Sequence, residues 1–192
     1  MKKKILLAAA VVICLTIAVS GTLAYFTFED TAHNVITSGG VSIEVVEKTK
    51  STDGAELEDF PKEGITGVMP GTEVSKIVSV RNTGNSEAWV RVKVDATITP
   101  AEAEGEEKLP SDVMTYTVSG DWTLGTDGYY YYNNKVPAGE STSILFDTVK
   151  FDPEMGNEYQ NCKANIVISA QAVQTANNGT TVMDAQGWPA GE

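Results

Sequence analysis

The side chains that could carry chemistry are few and scattered: one histidine, His33, two cysteines, Cys14 and Cys162, a spread of carboxylates, and an aromatic group made of Trp122 and Tyr129 to Tyr132. An acid/base relay or a zinc centre needs several ligands, so a single histidine excludes a two- or three-histidine zinc site within one chain, and no His-Glu-x-x-His motif is present. His33, close to Glu29 and Asp30, reads as a surface residue. Cys162 lacks the second histidine partner of a cysteine protease, and there is no Gly-x-Ser-x-Gly elbow. It reads instead as a small apolar residue opening a strand, with a free thiol or an intermolecular bridge as alternatives. Asp121, Asp127, Asp147 and Asp152 offer the oxygen ligands calcium takes but not the spacing of an EF-hand loop. A glycosidase pair cannot be picked from acids scattered over turns. The expectation is a protein with no catalytic, cofactor-binding or metal-binding residues, and not an enzyme.

Four consecutive tyrosines in a strand place two side chains on each face. Core and cross-strand packing is therefore the expected role of Tyr129 to Tyr132, ahead of a sugar platform built with Trp122.

One spacing does point to a reaction, with the chain as substrate. Lys2, Lys3 and Lys4 precede an apolar run from Ile5 to Val19, and Ser20-Gly21-Thr22-Leu23-Ala24 then ends in a small-x-small pattern. That is a secretory signal cut between Ala24 and Tyr25. An uncleaved anchor competes, because Ile5 to Phe28 is about long enough to cross a bilayer of ~30 Å, but Ser20 to Thr22 continues a helix poorly and suits a protease. Cys14 follows Val12 and Ile13 rather than the small residues of a lipidation site, and no glycine stands where a prepilin leader would be cut. The new terminus, Tyr25-Phe26-Thr27-Phe28-Glu29-Asp30, is aromatic where a terminus is normally polar and loose.

Removing residues 1 to 24 takes away three lysines and no acid. The remaining 168 residues then carry 11 basic against 26 acidic side chains, and the net charge of −12 becomes −15. Such a surface argues against nucleic acid and against anionic lipid as partners, leaving the membrane only through an uncleaved leader. One domain with a substantial core fits this length. Only one cysteine survives the cut, so no intramolecular disulfide holds the fold.

The elements are strands. Ala88, Val90, Val92, Val94, Ala96 and Ile98 alternate with Trp89, Arg91, Lys93, Asp95 and Thr97, which predicts a strand with one face in the core and the other in solvent. Further strands are predicted at 41–46, 73–81, 113–118, 128–132, 143–151 and 163–175, separated by turns such as Met69-Pro70-Gly71 and Asn82-Thr83-Gly84-Asn85. Stretches 48–63 and 100–110 read as irregular. The predicted fold is all-β, a jelly-roll-like β-sandwich of about 7–10 strands preceded by a cleavable signal helix. Its organisation is signal peptide 1–24, an N-terminal donor-strand or linker segment 25–40, sandwich 41–175, and a polar tail 176–192 that is either disordered or lays Trp188 against the body.

The leader ending Gly21-Thr22-Leu23-Ala24, the start Tyr25-Phe26-Thr27-Phe28-Glu29-Asp30, and Asn34-Val35-Ile36-Thr37-Ser38-Gly39 running into Val41-Ser42-Ile43-Glu44 resemble the TasA/camelysin family of Gram-positive bacteria. Met69-Pro70-Gly71-Thr72-Glu73, Val80-Arg81-Asn82-Thr83-Gly84 with Trp89-Val90-Arg91-Val92, and the strand from Ala164 to Gln174 extend the likeness. The resemblance implies a leader removed by the dedicated signal peptidase SipW, a jelly-roll domain, and secretion to the extracellular matrix or cell surface. It further implies assembly of copies into biofilm-matrix fibres, with the mature N-terminal strand donated to a neighbour, an accessory assembly protein as a further partner, and a metallo-endopeptidase activity in the camelysin branch that a single histidine does not support. The expected partners are copies of itself, and the expected assembly residues are Tyr25, Phe26, Thr27, Phe28, Glu29 and Asp30. A monomeric surface adhesin or carbohydrate-binding module is the rival expectation.

Overall fold

The computed structural model describes residues 26–30, 34–37, 40–51, 53–62, 64–100 and 108–189. The expected leader and its expected cut at Ala24–Tyr25, His33 and the acidic stretch 101–107 lie outside the described residues.

Two long strands form the spine. β8 (Ala88–Thr99) and β13 (Lys163–Gln174) pair antiparallel over their whole length, from Thr99 opposite Lys163 to Ala88 opposite Gln174. Their alternation explains the pairing, because a period of two gives each strand one apolar face. Ala88, Val90, Val92 and Ile98 of β8 and Ala164, Ile166, Ile168, Ala170 and Ala172 of β13 are fully buried, with Val94 and Ala96 packed against them. On the far side of β8 lie β11 (Tyr130–Tyr132) and β10 (Trp122–Leu124). On the far side of β13 lie β1 (Phe26–Asp30), with β5 (Ile65–Val68) beyond it, and β2 (Asn34–Thr37). β1 and β2 run parallel to β13, so the sheet is mixed.

Two three-stranded sheets complete the structure: β4 (Leu57–Asp59), β3 (Ile43–Lys50) and β7 (Ile77–Asn82), then β6 (Glu73–Ser75), β12 (Thr148–Phe151) and β9 (Met114–Tyr116). They are continuous in the chain, since β6 and β7 are separated by Lys76 alone. The backbone also bonds across the join: Lys76 N donates to Asp147 O at 3.0 Å, Val78 N to Phe146 O at 3.0 Å, and Leu145 N to Val78 O at 2.8 Å. The predicted strand 143–151 is thus regular only from Thr148, although its irregular first half still pairs with β7.

All three sheets contribute to one core, including Val45, Val78, Val80, Leu145, Phe146, Phe151 and Ile166. The protein is all-β. Thirteen strands stand among the described residues, more than expected, because β4, β5 and β10 are three or four residues long and carry too little alternation to register as strands. β3 also runs on to Lys50, into the stretch read as irregular.

Two turns show why their residues are needed. Gly71, at φ +76°, closes the turn in which Thr72 N donates to Met69 O at 3.0 Å, after a proline that presets the preceding residue. Gly84 sits so close to the chain leading into β3 that a Cβ there would lie 2.8 Å from Ser42 N. Next to it Asn82, fully buried, donates from Nδ2 to Ser86 O and Val136 O at 2.7 and 2.9 Å and accepts from Gly84 N at 3.0 Å, which fixes the β7–β8 connection.

Candidate functional site

The expected assembly segment is built into the sheet. β1 pairs in parallel with β13, Thr27 opposite Lys163, Phe28 opposite Ala164, Glu29 opposite Asn165 and Asp30 opposite Ile166. Its other edge pairs antiparallel with β5, Phe26 opposite Val68, Thr27 opposite Thr66 and Phe28 opposite Ile65, with a register irregularity between Phe26 and Thr27. β2 continues along the same edge of β13, from Asn34 opposite Ser169 to Thr37 opposite Ala172. Three residues separate Asp30 from Asn34, where two separate Ile166 from Ser169, so the N-terminal segment carries one residue more than β13 over this span. Among the described residues β1 is the strand that joins β5 to this sheet. Without it, β13 and β5 would each present a row of unpaired backbone groups.

The second site was not legible as a unit. Register lines up Gln171 of β13, Arg91 of β8 and Tyr131 of β11 on the face of the sheet turned away from the core. Arg91 Nε and Nη2 donate to Gln171 Oε1 at 2.9 and 2.7 Å, and Nη1 donates to Asp127 Oδ2 and to the Tyr131 hydroxyl at 2.9 and 2.8 Å. The guanidinium lies 4.0 Å from the Tyr129 ring centroid and 4.7 Å from that of Trp188, while Tyr131 meets Trp188 edge-on at 5.8 Å. Arg91 is thus both stacked and forked, as a planar guanidinium permits and an ammonium does not.

The C-terminal tail therefore packs on the body, in the arrangement that lays down Trp188. Val182, Ala185 and Trp188 cover Trp89, Tyr131 and Val173 as a second apolar cluster. Trp89 Nε1 donates to Asn178 O at 2.9 Å, and Asn178 in turn binds Gln174 O and Gln186 O through Nδ2 and Gln186 N through Oδ1. This corrects the solvent-facing reading of Trp89, which is 2 % exposed because a segment 89 or more positions away lies over it.

Electrostatics follow the packing. Partial burial opposes ionisation of Asp127, but hydrogen bonds from Tyr131 and from Tyr129 N, with the Arg91 charge, hold its carboxyl below the usual carboxylate range. Burial, reinforced by the bond to Asp127, pushes the Tyr131 hydroxyl up. Burial likewise pushes up the Cys162 thiol, which is 1 % exposed in the main core, so it packs as an apolar residue and is not presented for an intermolecular bridge.

Of the aromatic platform, the two-and-two division of the tyrosines holds: Tyr130 and Tyr132 pack on the main core, Tyr129 and Tyr131 on the tail cluster. Trp122 is buried against Tyr132, with ring centroids 5.0 Å apart, and offers no sugar-binding face. Asp121, Asp127, Asp147 and Asp152 do not converge, and among the described residues no three His, Cys, Asp or Glu side chains are grouped to hold a metal. No helix among them is long and apolar enough to cross a membrane.

Sequence reasoning also missed a buried ion pair. β6, Lys76 and β7 turn alternate residues inward, Val74, Lys76, Val78, Val80 and Asn82, and β3 with the residues just before it turns in Val41, Ile43, Val45 and Glu47. Parity alone places Lys76 and Glu47 on core rows, a signal the apolar pattern obscured. Comparison with protein-family models, with curated proteins and with solved structures finds no match to the chain.

Proposed function

We propose that this is a secreted structural protein of the extracellular matrix or cell surface, whose copies assemble head to tail when the mature N-terminal strand of one fills the β1 slot of the next. The carrying observation is the seat of β1, which pairs along both edges, parallel to β13 and antiparallel to β5. A strand paired through its backbone near the N-terminal end of the mature chain can be exchanged between identical copies, because the ladder made within the chain is the same as that made between chains. Each exchange that passes the strand onward leaves the next slot to be filled, and a heterologous contact that does not close grows a filament. The jelly-roll form of the sandwich, the signal helix cut at Ala24–Tyr25 by a SipW-type peptidase, and membership of the TasA/camelysin family belong to the same reading and rest on the residues quoted for the resemblance.

The test removes Tyr25 to Asp30 from the mature protein and compares size distribution and negative-stain images with the full mature chain. Filaments from the full chain and none from the truncated one are expected. Filaments that persist after truncation would sink strand donation.

A further inference from the structure

The Lys76–Glu47 pair is unusual in its setting as well as its position. The Lys76 side chain is wholly buried and that of Glu47 is 4 % exposed, Nζ lies 2.5 Å from Oε2, and the Phe60 ring centroid is 3.9 Å from Nζ. Glu47 lies in β3 opposite Val78 of β7, and Lys76, at the join just before β7, is two positions along from Val78. Lysine and glutamate are among the residues least often fully buried, because desolvating both ions costs more than their attraction commonly returns. Replacing two ions by one neutral group removes that cost.

We propose that Lys76 and Glu47 are the site of an intramolecular isopeptide bond. Transfer of one proton from the ammonium to the carboxylate across this contact gives a free amine and a carboxylic acid. Nζ then forms a bond to the Glu47 Cδ, one Cδ–O bond breaks, and the departing oxygen leaves as water with the acid proton and one amine proton. The balance is carboxylate plus ammonium to amide plus water, with no oxidant, reductant or activating group consumed. Holding the reacting atoms in contact corresponds to effective molarities of about 10⁵–10⁸ M in well-oriented cases, the source of driving force that bulk amine and acid lack. The buried Phe60 ring lies against Nζ, and the Lys76 side chain has no solvent-exposed surface. The product would staple β3 to the join between β6 and β7, and the inference does not depend on how copies of the chain assemble.

Intact mass of the purified, folded, then denatured protein tests it. The expected mass is one water below that required by the sequence, with a proteolytic digest giving one linked species that joins the peptide containing Glu47 to the peptide containing Lys76. The Lys76→Met chain, whether or not it folds, should show its full sequence mass. An unmodified mass for the folded parent chain overturns the proposal, because a buried ion pair leaves no trace after denaturation. A loss of water traced to cyclised Asp53-Gly54 or Asp127-Gly128, cleaved by hydroxylamine and without linked peptides, overturns it equally.

Discussion

The Arg91 guanidinium lies 4.7 Å from the centre of the Trp188 ring, and this contact joins the longest strand pair to the end of the described chain. Trp188 also donates from Nε1 to Ala185 O at 3.0 Å, which folds the tail back on itself at the point where it meets the sheet. Trp188→Ala should therefore cost about 1 to 3 kcal/mol, combining lost apolar burial with a partly shielded cation–π contact. Urea unfolding should report the loss as a lower midpoint. Limited proteolysis should cut the variant after Gln174 faster than the parent, and equal rates would show that Trp188 does not hold the tail.

Asp127 makes that same clamp sensitive to acid in a defined direction. Its carboxyl is held below the ordinary range in the folded protein, so the unfolded chain binds a proton first as pH falls. The contribution of Asp127 is fully present above its unfolded pKa of about 3.9 and is lost as pH drops through the lower folded value. Asp127→Asn should narrow the difference in urea midpoint between neutral and strongly acidic solution. A variant whose acid sensitivity matches the parent would place the titration elsewhere.

What the amino-acid pattern could reveal divides along physical lines. Alternation over Ala88 to Ile98 identifies a core face because burial acts on each residue separately, and every inward residue of β8 is buried or packed on the core. The same alternation cannot say what covers the other face, and Trp89 and Arg91 meet a tail that no local pattern connects to them. β1 and β2 are harder still, since parallel pairing with β13 joins residues 135 or 136 positions apart and leaves no hairpin turn to read. Lys76 was hidden for the opposite reason. A charged residue inside a hydrophobic strand is normally assigned to solvent, while its parity with Val74, Val78 and Val80 placed it inward.

Asn82 offers a test of the connection between the sheets. It is fully buried, makes two hydrogen bonds as donor and one as acceptor, and fixes the turn that carries the chain from β7 to β8. Asn82→Ala leaves the Ser86 and Val136 carbonyls and the Gly84 N–H without that partner. With each buried unsatisfied group costing about 1–3 kcal/mol and partial relief by water, a loss of about 2 to 4 kcal/mol is expected by chemical denaturation. Asn82→Asp retains the acceptor for Gly84 N–H but loses both donors and adds a buried charge, so it should be no better tolerated. Near-parent stability for either would mean that the turn is held by its backbone alone.

The β1 seat makes its own prediction about backbone chemistry. Because β1 has β13 on one side and β5 on the other, an amide within it has a neighbouring strand in whichever direction it points, unlike an amide on a free edge. A proline removes one donor and fixes φ near −65°, which an interior strand does not accept. Phe28→Pro should therefore displace β1 and leave the β13 and β5 edges open, while the β8–β13 pair, held over its whole length by its own ladder and its own buried residues, stays folded. Hydrogen exchange should quicken at β1 and at Ile65 to Val68 and stay slow along Ala88 to Thr99. Adding a synthetic peptide with the sequence of residues 25–37 should restore slow exchange at β5 by filling the vacant slot in trans. Restoration by the peptide would make the slot transferable between molecules. Failure of the peptide to bind, in a chain whose β8–β13 pair is intact, would confine β1 to its own subunit and remove the physical basis for filament growth.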